Sequence, residues 1–171
     1  MAAHLLEIDD SDEVIVPSYT FPSTATAFVL RGADIVFCDV DERTLTMDPT
    51  HLSKLVHEST AAIVPVHYAG SSCRMDKILA IADNYHVPVI EDAAQGVNAK
   101  YYEDYLGTIG DIGCYSFQGT KSYVAGEGGA LLLNNERYTQ RAEYLRQKGT
   151  NYDEFRRGNV DKYAWVDIGS S

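Results

Sequence analysis

Two side chains in this sequence have the types and placement to do covalent chemistry together. Asp92 stands at the end of an apolar run, Val87 to Ile90 followed by Glu91-Asp92, where a carboxylate either caps the next turn or holds a positive charge in a partly dry site. Lys121 stands in Ser116-Phe117-Gln118-Gly119-Thr120-Lys121-Ser122, a polar loop that leaves an apolar run and enters glycines. Alone, the aspartate reads as a turn cap and the lysine as a surface residue. Together they match what pyridoxal phosphate chemistry requires. The amine bonds to the cofactor aldehyde, and the acid keeps the pyridinium nitrogen protonated so that the ring accepts electrons.

Competing motifs fail on spacing. Gly107-Thr108-Ile109-Gly110-Asp111-Ile112-Gly113 does not match the dinucleotide fingerprint, and Gly126-Glu127-Gly128-Gly129 precedes a strand where that fingerprint should open a helix. Around Gly119-Thr120-Lys121-Ser122 the lysine does not follow a glycine, so no P-loop is present. Cys38, Cys73 and Cys114 are odd in number and widely spaced, which excludes a disulfide framework and a paired Cys-x-x-Cys metal site. His67, a lone histidine at a strand end, reads as a satisfied structural residue and is left out of the candidate set.

The elements that must position Asp92 and Lys121 alternate between strand and helix. Short apolar runs at 13–17, 34–40, 61–66, 87–90, 112–117 and 129–133 read as strands. Between them, 23–31 reads as a helix stopped by Gly32, and Asp48-Pro49 caps and opens another that runs to about Val56. Met75, Ile78, Leu79 and Ile81-Ala82 form one apolar helical face, and 136–148 reads as a charged amphipathic helix. Apolar strands separated by amphipathic helices predict an α/β fold with a mainly parallel sheet covered by helices on both faces. Ligands of such sheets sit beyond the carboxyl ends of the strands, where Ser18 to Phe21, His67 to Gly70 and Asp92 to Gln95 fall.

At 171 residues with 45% hydrophobic and 23% charged positions, the chain has ordinary globular composition for one domain. Its formal net charge is −11, and only Arg31 and Arg43 offset the acids of the first 50 residues, which argues against a nucleic-acid partner. No signal peptide or membrane-length apolar run is legible, so the expected location is the cytoplasm, away from membranes.

Five ordered segments carry a resemblance to a known family. Pro17-Ser18-Tyr19-Thr20-Phe21-Pro22-Ser23-Thr24, Pro65-Val66-His67-Tyr68-Ala69-Gly70, Glu91-Asp92-Ala93-Ala94-Gln95, Ser116-Phe117-Gln118-Gly119-Thr120-Lys121 and Gly126-Glu127-Gly128-Gly129 resemble the nucleotide-sugar aminotransferases of the DegT/DnrJ/EryC1/StrS family. Further matches run through Lys148-Gly149-Thr150-Asn151 and 167–171. The resemblance implies the central part of a fold-type I, aspartate-aminotransferase-like large domain with pyridoxal 5′-phosphate as cofactor. It makes Lys121 the covalent lysine and proton-moving base, and Asp92 the partner of the pyridinium nitrogen. Gln95 would bond the cofactor's phenolic oxygen, Ser116 would hold the phosphate, and Phe21 would stack on the ring.

It further implies a homodimer that moves an amino group, usually from glutamate as amino-acid donor, onto a dTDP-linked 4-keto-6-deoxy nucleotide sugar. Relatives that dehydrate sugars resemble this pattern with histidine in place of the lysine, so Lys121 places the chain with the transaminases. The sequence departs from the pattern at Gln118, where the family usually has histidine. It is also expected to lack the upstream helix that cradles the phosphate and the small C-terminal domain, 1–171 being a partial large domain. The competing expectation is a catalytically silent fragment that binds a partner or nothing.

Overall fold

The computed structural model describes residues 1–169; Ser170 and Ser171, the end of the last matched segment, lie outside the described residues. Six strands build the main sheet. β1 (Glu13–Pro17) lies between β2 (Asp34–Cys38) and β3 (Thr60–Ile63), parallel to both. β4 (Ile90–Asp92) runs parallel to β7 (Ile112–Ser116), which pairs antiparallel with β8 (Gly129–Leu133). A small antiparallel hairpin, β5 (Lys100–Tyr101) and β6 (Asp104–Tyr105), stands between β4 and β7 in sequence.

The two three-stranded groups meet along a seam between β3 and β4, through parallel bridges Ile63 to Val89 and Val66 to Asp92. Pro65 and Pro88 sit in this seam and can accept but not donate. The ladder therefore runs through Ile63 N–H to the Pro88 carbonyl, Asp92 N–H to the Pro65 carbonyl and His67 N–H to the Asp92 carbonyl. The resulting order is β2-β1-β3-β4-β7-β8, with the last strand antiparallel.

Alternation along the strands loads both faces of the sheet. Val14, Val16, Ala62 and Val64 pack on one side with α1 (Ala2–Leu5), with Phe28 of α2 (Ser23–Val29) and with Ala142 and Leu145 of α5 (Thr139–Arg146). Ile15 and Ile63 point to the other side, against Leu52 of α3 (Pro49–Leu55) and Met75, Ile78 and Ala82 of α4 (Met75–Tyr85). This is the two-layered cover the apolar strands predict. Each buried Leu, Ile or Met side chain contributes about 1.5–3 kcal/mol.

Several boundaries differ from the sequence reading for local reasons. Asp48 caps α3 as expected, its Oδ1 accepting the Thr50 N–H at 2.8 Å ahead of Pro49. The predicted 136–148 helix begins instead as a single tight turn over Glu136–Tyr138, because Asn135 Oδ1 accepts the Arg137 N–H. α1, the β5–β6 hairpin and α6 (Tyr152–Arg157) were not expected. α6 buries none of its residues, so it carries no apolar stripe, although its charge order, Asp153-Glu154 early and Arg156-Arg157 late, suits a helix dipole.

Candidate cofactor site

The site lies where β1, the β3 extension, β4 and β7 reach their carboxyl ends. One cavity of about 660 Å³ there is lined by Phe21, Asp92, Gln95, Ser116 and Lys121, together with Thr20, His67, Tyr68 and Gln118. All five candidates from the sequence thus meet in one concavity of a size that suits a small ligand. A second cleft, about 620 Å³ between α3 and α4, is lined by Asp41, Arg74 and Lys77 and contains none of the five.

Asp92 closes β4 and is oriented by two donors. Thr24 Oγ1 donates to its Oδ2 at 2.6 Å, and the Ala94 N–H donates to Oδ1 at 3.1 Å. Thr24 is buried in the first turn of α2 and shares a hydrogen bond of 2.8 Å with Thr20 one turn earlier. The aspartate is therefore held from both sides, with lone-pair capacity left for a further N–H. Beside it on β7, burial and then the Asp92 charge push the Cys114 thiol up to about 12, which leaves it inert.

Gln95 follows in the turn after β4. Its Oε1 accepts the Ala69 N–H at 2.7 Å, which assigns the other end of the amide, the NH₂, as its remaining donor. Ala69 holds a left-handed backbone, φ +52°, in the single turn Tyr68–Gly70. For a residue with a Cβ this conformation costs about 1–2 kcal/mol, which the turn's hydrogen bonds must offset. Tyr68 in that turn packs against Tyr19 with ring centroids 4.4 Å apart and the planes tilted by 41°.

Ser116 ends β7, and its Oγ accepts the Gln118 N–H at 3.4 Å. Lys121 follows in a loop closed by the Ala125 N–H donating to the Phe117 carbonyl and the Phe117 N–H to the Gly128 carbonyl. The Lys121 N–H itself donates to the Gln118 carbonyl. Among the described residues the Lys121 ammonium makes no ion pair. Phe21, 70% exposed, stands at the rim.

Beneath the cavity lies a buried charge. Glu91, next to Asp92 on β4, and His67 are both fully enclosed, and His67 Nε2 meets Glu91 Oε2 at 2.8 Å. The Cys73 N–H donates to His67 Nδ1, so the proton sits on Nε2 and is given to the carboxylate. Glu91 also accepts N–H groups from Gly107, Ile109 and Gly110 at 2.6–2.8 Å. Burial works against its ionisation, but the His67 and backbone donors outweigh that and hold its carboxyl below the usual range. The structural reading of His67 agrees with both its nitrogens being engaged. Glu91 and Thr24 were missed; the signal for Glu91 was a charge inside an otherwise apolar strand, which demands a partner.

The whole chain is similar to known aminotransferases. The model of the DegT/DnrJ/EryC1/StrS aminotransferase family matches residues 1–169. The spore coat polysaccharide biosynthesis protein SpsC of Bacillus subtilis is 44% identical over 142 residues, covering 83% of this chain and 36% of SpsC. The crystal structure of an aminotransferase from Psychrobacter cryohalolentis superposes with a TM-score of 0.91 at 36% identity, covering 99% of this chain and 44% of that one. NtdA of Bacillus subtilis, solved with bound PMP, superposes with a TM-score of 0.84 at 28% identity over 98% of this chain and 37% of NtdA. The chain spans about two fifths of the length of the curated relatives it matches. With the family model running from its first residue to Gly169, the chain belongs to the DegT/DnrJ/EryC1/StrS aminotransferase family.

Proposed function

We propose that this chain carries the cofactor-binding face of a pyridoxal-5′-phosphate-dependent aminotransferase. Its reaction moves an amino group from an amino acid, glutamate, to a dTDP-linked 4-keto-6-deoxy sugar, and two copies of the chain associate as a homodimer. The observation that carries the reading is the convergence of Phe21, Asp92, Gln95, Ser116 and Lys121, from three separate chain segments, on one cavity. PMP bound to NtdA and the family's aminotransferase activity support it.

The residues present fit the cofactor group by group. It needs an acceptor for a protonated ring nitrogen, and Asp92 is a carboxylate already steadied by Thr24 and Ala94. It needs a donor for a phenolic oxygen, and the Gln95 NH₂ is left over once Ala69 has taken the carbonyl end. Ser116 brings a hydroxyl that donates to phosphate without adding charge. When bound, the cofactor supplies an aldehyde that captures amines and a ring that accepts electrons.

The chain's own groups do the rest. Lys121 Nζ would be the amine that holds the cofactor and, once free, the base that moves a proton at the substrate carbon. Asp92 would hold a proton at the ring nitrogen. Phe21, at the rim, would lie against one face of the ring and shield it from water.

The test is an absorbance titration of the chain with pyridoxal phosphate, followed by borohydride reduction and mass analysis, on wild type and Lys121→Ala. We expect a new band and a covalent adduct on Lys121 in wild type and neither in the variant. An absent band at saturating cofactor overturns the cofactor reading and favours a silent fragment. A cofactor-loaded chain that leaves glutamate and the dTDP-4-keto-6-deoxy sugar unchanged overturns the substrate assignment alone.

A further inference from the structure

His67 and Glu91 form an enclosed pair that no step of the proposed reaction uses, yet the pair lies one residue from Asp92 and two from Ala69. Both ring nitrogens of His67 are bonded, and they join separate pieces of chain. Nε2 donates to Glu91 on β4, while Nδ1 accepts the Cys73 N–H at the far end of the 67–73 turn. The imidazole therefore pins that turn at its base and its exit. Inside the pinned turn, Ala69 keeps φ +52° and points its N–H at Gln95 Oε1 at 2.7 Å. Without an anchor, a left-handed alanine relaxes toward ordinary backbone and that N–H swings away.

We infer that His67 is a positioning residue for Gln95: by locking the 67–73 turn between Glu91 and Cys73, it fixes the Ala69 N–H that selects which end of the Gln95 amide is offered to the cavity. The inference rests on the proposed function for what the amide then touches, the phenolic oxygen of the cofactor. It does not rest on it for the coupling between His67 and Ala69. Glu91 serves the same end from below, since its second oxygen clamps the Ile109 and Gly110 N–H groups and leaves the carboxylate no freedom to follow a displaced imidazole.

Two variants separate the arms of the imidazole. His67→Gln keeps a donor near the Nε2 position and loses the acceptor for Cys73; His67→Asn keeps the acceptor and loses the donor to Glu91. Amide hydrogen exchange on the cofactor-free 171-residue chain is the first readout. Both variants should speed exchange at Ala69 about tenfold, as should Gln95→Leu, and combining either with Gln95→Leu should add nothing further. Loss of thermal stability with Ala69 exchange unchanged overturns the inference. Should both variants unfold, exchange in the wild type decides: Ala69 and Cys73 must open together, and independent opening of the two overturns it.

The second readout is the pH titration of the absorbance of bound pyridoxal phosphate. A donor on the phenolic oxygen favours its ionised form, so His67→Gln should raise the apparent pKa of the chromophore in the same direction as Gln95→Leu. A titration identical to wild type overturns the cofactor side of the inference. If the wild-type chain takes up no pyridoxal phosphate, the proposed function falls and the exchange experiment still decides the coupling.

Discussion

At the scale of single residues, the candidate site is organised by groups buried behind it. Thr24 donates to Asp92 from α2, so its hydroxyl sets the direction of the carboxylate. Thr24→Val keeps the shape and removes one hydrogen bond, and it should weaken pyridoxal phosphate binding about fivefold, read by the absorbance titration. Glu91 makes a prediction of opposite character. Its carboxyl is held below the ordinary value in the folded chain, so its contribution to stability is fully present above the unfolded carboxylate range and is lost as pH falls through the folded value. Urea unfolding followed from neutral to acid pH should show that loss. Glu91→Gln should cost about 3 kcal/mol at neutral pH and flatten the acid dependence, because four N–H donors then face an amide.

At the scale of elements, the short strands end where the chemistry begins, and the helices hold those ends in place. α3 shows how local signals and packing share the task. Asp48 caps it, Pro49 pre-sets its first turn, and Leu52 buries against the sheet. Asp48→Ala should lower stability by about 1 kcal/mol without altering cofactor uptake, since the cap lies outside the cavity lined by Lys121. A fall in uptake that exceeds the fall in stability would show that α3 reaches the site. The seam at Pro65 and Pro88 belongs to this scale too. By denying the β3–β4 ladder two donors, the prolines confine the seam to isolated bridges, the last of which pairs Val66 with Asp92.

At the scale of the whole molecule, charge and apolar exposure oppose each other. The chain carries a net charge of −11, yet Phe21, Leu30, Phe37 and Trp165 stand largely exposed. Like charge repels copies of the chain over about 30 Å in dilute salt and only about 8 Å at physiological ionic strength. Self-association should therefore strengthen as salt rises over that range, read by sedimentation at fixed protein concentration. A monomer at every salt concentration would sink the proposed homodimer. Among the described residues no helix is long and apolar enough to cross a membrane.

The sequence by itself determined the layered fold and named five candidate positions that the structure brings to one cavity. Strand patterning needs only local alternation, the α3 cap needs only Asp48-Pro49, and the segments around Phe21, Asp92, Gln95, Ser116 and Lys121 all fall within the range that the family model matches. What depends on contacts between distant positions was decided only by the tertiary structure. Thr24 reaches Asp92 across 68 residues, and His67 meets Glu91 across 24. Those pairings arise because parallel strands carry their carboxyl ends to one edge, which no local pattern records. The β5–β6 hairpin and α6 escaped for the complementary reason: two-residue strands and a helix with no buried face leave no periodic apolar signal to read.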